Sequence, residues 1–340
     1  MATPLKKAVQ VWKLVQDLGI RSTGDPVSDV IRFCENRVKK FLKDFPECKR
    51  PEELLDLAAN KLRTVFEIVR TDADLFKIRD KYVSKGERIF ATLAEQLPND
   101  VFGITFRLSN REPWEPEFAS VIDCRGTKMF RAYFTKWHEL AHLLVLTDQL
   151  RLSFRRTACS EAAKNPEESL MDVIAGRLGY FPPMVRDLAN ERISFEVIER
   201  LRQLLCPESS ELAARINFVK TWHQPCMLVH AELSLRAIDK RKLQSGLVTV
   251  DEIPSPELRA IQITPSDGAR ELGLKIFPNM RIPERSVIHR VFDGGIESAR
   301  AAENLSWWKT SDGTVLPDHP ITIEAIRVWN TVYALIVFEI

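Results

Sequence analysis

His138-Glu139-Leu140-Ala141-His142 places two imidazoles four residues apart with a carboxylate between them. The surrounding run, residues 134–146, carries Leu140, Leu143, Leu144 and Leu146 at helical spacing, and Thr135 is a suitable N-cap. On a helix, residues i and i+4 lie one above the other on one face. Both imidazoles can then reach one metal ion, and Glu139 stands on the adjoining surface. A zinc hydrolase needs that layout: nitrogen ligands held in place, and a carboxylate close enough to take a proton from the attacking water. A core helix with two hydrogen-bonded histidines is the alternative that these five residues alone leave open.

Two histidines do not complete a catalytic zinc site, which takes three protein ligands and keeps one position open. Glu168 is the leading candidate for the third. It falls within residues 167–178, where Leu170, Val173, Ile174 and Leu178 form an apolar stripe. Asn165-Pro166 supplies a cap and a first-turn proline, and Gly179 with Pro182-Pro183 closes the helix. Asp172 lies four residues after Glu168 on the same face. There it can accept the free ring N–H of a ligating histidine and fix its tautomer; a solvent-facing charge is the plainer reading. Glu167, about 100° round the helix, and Glu161, ahead of it, compete with Glu168.

These motifs resemble the ImmA/IrrE family of metallopeptidases, also described by the IrrE N-terminal-like domain. Arg131, Phe134 and Thr135 stand before His138-Glu139-x-Ala141-His142, as the family pattern has them. Glu168, Met171, Asp172, Ile174, Ala175 and Leu178 follow in register, with Pro182 closing. The departures are Met171 for a small residue, Ile174 for Phe, and one extra residue before Pro182. None removes a chemical group. The resemblance is specific over residues 118–183 and weak elsewhere.

The resemblance implies a zincin-like endopeptidase of limited specificity. His138, His142 and Glu168 would hold zinc, or manganese or another divalent metal, and Glu139 would be the general base. The implied substrate is a Cro/CI-like helix-turn-helix repressor, cleaved to induce a stress-response or mobile-element operon. Tyr133, Tyr180 and Arg177 are near enough in sequence to be asked whether they stabilise the oxyanion. A peptide would dock as an added strand on a sheet edge, with 101–108 or Phe118–Asp123 as the expected edge. Two rival readings stand beside this one: a non-proteolytic regulator on the same fold, and a component of a toxin–antitoxin pair.

Composition narrows the class. The 340 residues carry a net charge of +2, with 45% hydrophobic and 28% charged residues, so bulk charge points to neither nucleic acid nor membrane. The six cysteines are scattered without a C-x-x-C pair, which suits reduced thiols in the cytoplasm. Residues 1–20 carry Lys6, Lys7, Lys13 and Asp17 and lack the unbroken apolar core of a signal peptide or membrane span.

The pattern along the chain predicts an α+β protein. Helices are expected at 4–18, 26–45, 50–69 and 73–97, with 21–24 as a hinge behind a detachable arm. Strands are expected at 101–108 and Phe118–Asp123. The loop between them holds Trp114, either as a lid over a cleft or folded onto the core. Helices at 194–205 and 209–222 form a helix-turn-helix-like unit, whose balanced charge favours a structural or docking role over DNA reading. Strands follow at 229–235, 247–250, 260–263, 286–291, 321–328 and 332–340, with Trp307-Trp308 in a turn or groove. The expected division is an arm (1–24), a zinc metallopeptidase domain (25–190) with a small sheet around the H-E-x-x-H helix, the helix-turn-helix-like unit (191–224) and a β-rich C-terminal domain (225–340). The last is a candidate for sensing or substrate docking, by analogy with the GAF-like domain that one family branch carries there.

Overall fold

Asp25 and Thr71 start helices as short oxygen-bearing side chains should. Asp25 accepts from the Ser28 amide; Thr71 accepts from the Asp74 amide while the Asp74 carboxylate reaches back to Thr71. The structure is a computed structural model that describes residues 5–146, 153–157, 165–186, 191–247, 249, 254–310 and 312–339. With 47% helix and 21% strand it is mixed α+β, as the sequence pattern implies. The chain forms two compact units, Met1–Met184 with Arg202–Ser210, and Val185–Leu201 with Glu211–Ile340. Among the described residues no helix is long and apolar enough to cross a membrane.

The first unit opens with α1 (Val9–Asp17), α2 (Pro26–Lys43), α3 (Pro51–Lys61), β1 (Thr64–Val69) and α4 (Asp72–Ser84), then the short α5 (Leu93–Gln96). Val11 and Val15 bury one face of α1. The expected hinge is tied down: buried Asp29 accepts from the Ser22 hydroxyl and from both the amide and the hydroxyl of Thr23.

Two expected helices are broken. The run 50–69 stops at Lys61, because Arg63 takes φ +53°, a left-handed conformation that ends helices. The next six residues, rich in β-branched and aromatic side chains, form β1 instead. The run 73–97 breaks at Gly86, whose φ of +88° is open to glycine at no steric cost.

Strands β2 (Val101–Arg107), β3 (Phe118–Asp123) and β4 (Ser153–Thr157) complete a four-stranded sheet in the order β1-β3-β2-β4. β1 runs parallel to β3; β2 is antiparallel to both neighbours. The strands expected at the edge, β2 and β3, are therefore interior. Among the described residues β1 and β4 are the edges, and neither was foreseen. One sheet face carries Ile104, Phe106, Ala119 and Val121, packed with Leu75, Ile78, Tyr82, Phe90 and Leu93.

The opposite face meets α6 (Ala132–Leu144), the H-E-x-x-H helix. β2 carries a bulge against β4. Val101 pairs with Thr157 and Gly103 with Arg156, which leaves Phe102 as the extra residue on β2. Gly103 lies directly under α6. A Cβ there would stand 2.7 Å from Thr135 Cγ2 and 3.1 Å from Glu139 Oε1. α7 (Pro166–Gly179) packs beside α6, its N-terminus capped by Asn165, which accepts from the Glu167 amide. α8 (Pro182–Arg186) follows after the break at Phe181.

Trp114 stands 80% exposed in the β2–β3 connection, so it is not folded onto the core. Arg63 grips that loop by donating to the carbonyls of Pro113 and Glu115.

The second unit holds α10 (Glu211–Thr221), preceded by α9 (Phe195–Leu205), most of which it includes. Its sheet is antiparallel and five-stranded: β5 (Cys226–Ser234), β6 (Glu257–Pro265), β7 (Ser298–Asn304), β8 (Pro320–Val328) and β9 (Thr331–Phe338), in the order β6-β5-β9-β8-β7. Between strands lie α11 (Ala237–Gln244), α12 (Asp267–Glu271) and α13 (Val287–Asp293). The expected strand 286–291 is thus the helix α13. Ser286 caps it, and Val287, Ile288 and Val291 bury one helical face against the sheet. Leu247 and Thr249, the described part of the expected strand 247–250, lie outside regular structure. Trp308 is fully buried in this unit's core, not set in a groove.

Replacing Gly103 with alanine forces a methyl group between β2 and α6, where overpacking costs about 1–3 kcal/mol. Urea unfolding of Gly103→Ala should show a loss in that range, and an unchanged midpoint would disprove the tight approach.

Candidate metal centre

Helix α6 is buried nearly all round. His138 and Glu139 expose nothing and His142 1%. The helix is fixed at both ends. The Tyr133 hydroxyl donates to the Gly179 carbonyl at 2.6 Å, and the Arg37 guanidinium donates to the Leu144 carbonyl at the C-terminus. Gly179 permits the first contact, since a Cβ there would meet the Trp137 ring at 3.0 Å.

The two imidazoles lie 5.0 Å apart, centroid to centroid. Glu168 on α7 reaches between them: Oε2 is 3.1 Å from His138 Nε2 and Oε1 is 3.3 Å from His142 Nε2. One donor atom from each of the three residues falls within 4.8 Å of the others. Glu168 is therefore the third member, as its register implied. Glu167 Oε1 comes no nearer than 4.0 Å to His142 Nδ1. Glu161 lies outside the described residues.

Asp172 Oδ1 sits 2.8 Å from His138 Nδ1, one helical turn beyond Glu168. A carboxylate there accepts the Nδ1 proton and leaves the lone pair of a neutral imidazole on Nε2. That lone pair faces a carboxylate oxygen at 3.1 Å. Two acceptors at this distance repel unless a cation or a second proton lies between them. Two nitrogens and a carboxylate, mutually converging, could hold a metal ion.

Burial by itself would raise the Glu168 pKa. Hydrogen bonds to and charge on His138 and His142 outweigh it and hold the carboxyl far below the usual range. Glu139 is shifted the other way. Complete burial pushes it up, against the lowering influence of His138, His142 and the Thr105 hydroxyl.

Glu139 does not point to solvent. Its Oε2 accepts from the Thr105 hydroxyl at 2.6 Å, and Thr105 is 2.6 Å from the Ser120 hydroxyl. Its Oε1 is buried and has no hydrogen-bond partner. Thr105 and Ser120 were not singled out in the sequence. Gly103 and Thr105 break the apolar run 101–106 on one face, but nothing in the linear pattern ties Thr105 to Ser120 or to Glu139. The three residues considered for the oxyanion are engaged elsewhere. Tyr133 bonds Gly179, Tyr180 bonds Ser209, and Arg177 Nε donates to Glu35 at 2.8 Å.

Among the described residues no other histidine joins such a group. His230 stacks on Tyr333 and His289 pairs with Asp293. Among the described residues Cys34, Cys48, Cys124 and Cys226 are free thiols. The chain matches no protein-family model and no curated protein.

Purified protein should carry about one divalent ion per chain. His142→Ala and Glu168→Ala should each abolish tight binding, whereas Glu167→Ala should keep it. Asp172→Asn should weaken affinity about 10–100-fold by loosening the His138 ring. Elemental analysis and competition with a chromogenic chelator measure each; normal binding by Glu168→Ala would refute the ligand set.

Proposed function

We propose that this chain is a zinc-dependent endopeptidase of limited specificity, akin to the ImmA/IrrE metallopeptidases. The observation that carries the reading is the convergence of His138, His142 and Glu168, with Glu139 next to them on α6. When bound, a divalent ion would polarise a scissile carbonyl and acidify water. The other roles belong to side chains. His138, His142 and Glu168 would hold the ion. Asp172 fixes the His138 tautomer. Glu139 would accept the proton of the attacking water at Oε1 and return it to the departing amine.

The motif resemblance supports a helix-turn-helix repressor of the Cro/CI type as substrate, and the scattered cysteines support a cytoplasmic site of action. The domain scheme goes with it: catalysis in residues 25–190 on a zincin-like core, and sensing or substrate docking in residues 225–340.

One observation favours the non-proteolytic reading. Glu139 exposes no surface and is bonded to the sheet, an arrangement a purely metal-binding regulator would tolerate. Glu139→Gln separates the two. It keeps size and metal binding but cannot accept a proton, so the peptidase reading expects cleavage to fall by about 10²–10⁴-fold. The assay is zinc-loaded protein against a repressor-like substrate and an internally quenched peptide library. Cleavage at the wild-type rate would sink the mechanism; a wild-type regulatory phenotype without cleavage would favour the regulator.

A further inference from the structure

We propose that Thr105, backed by Ser120, is the positioning residue that holds the Glu139 carboxylate beside the metal-ligand group; this rests on the peptidase reading for its catalytic consequence but not for its physical basis. Each hydroxyl has one proton. An ionised Glu139 can only accept, so the Thr105 proton goes to Glu139 Oε2. Thr105 is then left to accept, and the Ser120 proton fills that place. The chain from Ser120 through Thr105 to Glu139 rests on two buried contacts of 2.6 Å each, and for an ionised Glu139 the donors run in that order.

All three groups are fully buried, with Thr105, Ser120 and Glu139 each at 0% exposure. A carboxylate there without a donor would be heavily penalised. Thr105 supplies the donor to one oxygen and leaves the other, Oε1, unpartnered. Gly103, two residues earlier on the same strand face, provides the room: a Cβ there would press on Oε1 at 3.1 Å. The strand face therefore does two things at adjacent positions. It clamps one carboxylate oxygen and keeps space around the other, the atom assigned to carry the proton.

The test uses the full-length protein in two arms. In the first, metal-free wild type, Thr105→Val, Glu139→Leu and the double variant are unfolded in urea. Thr105→Val should lower the folding constant about 10–100-fold in the wild-type background and less than about twofold beside Glu139→Leu. Equal losses in both backgrounds overturn the proposal.

In the second arm, zinc-loaded wild type, Thr105→Val, Thr105→Ser and Ser120→Ala are assayed on the quenched peptide library. Thr105→Val should lose about 10–100-fold in kcat with KM and zinc content unchanged. Thr105→Ser, which keeps the hydroxyl, should recover most of the rate, and Ser120→Ala should fall between. A kcat unaffected by Thr105→Val, or a failure of Thr105→Ser to rescue it, overturns the proposal. If wild type cleaves no library member, the peptidase reading fails, and the unfolding cycle still decides whether Thr105 holds Glu139.

Discussion

A single carboxylate, Glu168, lies between two imidazoles, and the arrangement of α6 and α7 depends on it. His138 and His142 are buried to within 1% of completely. Buried ring nitrogens and a largely enclosed carboxylate are costly unless each satisfies another. Glu168 meets both imidazoles from the partner helix, one oxygen each, while Asp172 steadies one ring from the next turn. The helices cannot slide past one another without stranding several polar groups at once. Structural fixation and ligand convergence are the same interaction here.

The sheet contributes a second constraint. The regular pairing of β2 with β3 puts Gly103 and Thr105 on the face under α6. A one-residue slip in that pairing would carry the opposite face of the strand toward the helix. A small residue and a hydroxyl at alternate positions then accommodate a charged side chain that an ordinary strand face of Ile and Val would exclude.

How much of this the sequence disclosed follows from how local each signal is. The His138–His142 pair needs only one helical turn, so its spacing states its geometry. Glu168 and Asp172 were readable because Asn165 and Pro166 fix where α7 begins, and hence which residues share a face. The helix boundaries at Lys61 and Ser84 were not. Arg63 adopts φ +53° without the glycine that usually announces such a turn, so a helical period ran on into β1. Helix α13 was misread because Val287, Ile288 and Val291 suit a strand by type and a helix by spacing, and spacing won under the Ser286 cap. Thr105 and Ser120 lie on different strands and gain their meaning only when β2 and β3 pair with Thr105 opposite Ser120. No linear pattern carries that information.

Access follows from the same packing. The sheet side of the centre is filled by Glu139, Thr105 and Ser120, all without solvent exposure. Of the three ligand side chains only Glu168 is reached by water, at 20% exposure. Among the described residues the solvent-reached carboxylates in contact with the two imidazoles lie on α7, Glu168 and Asp172, the latter with its side chain 21% exposed. For the proposed peptidase this makes the docking strand an edge strand, because interior β2 and β3 have both hydrogen-bonding sides occupied. β4 is the edge next to β2 and packs with α6. Among the described residues β4 is, with β1, one of the two edge strands, and it is the one where the proposed peptide would add backbone hydrogen bonds one strand away from β2.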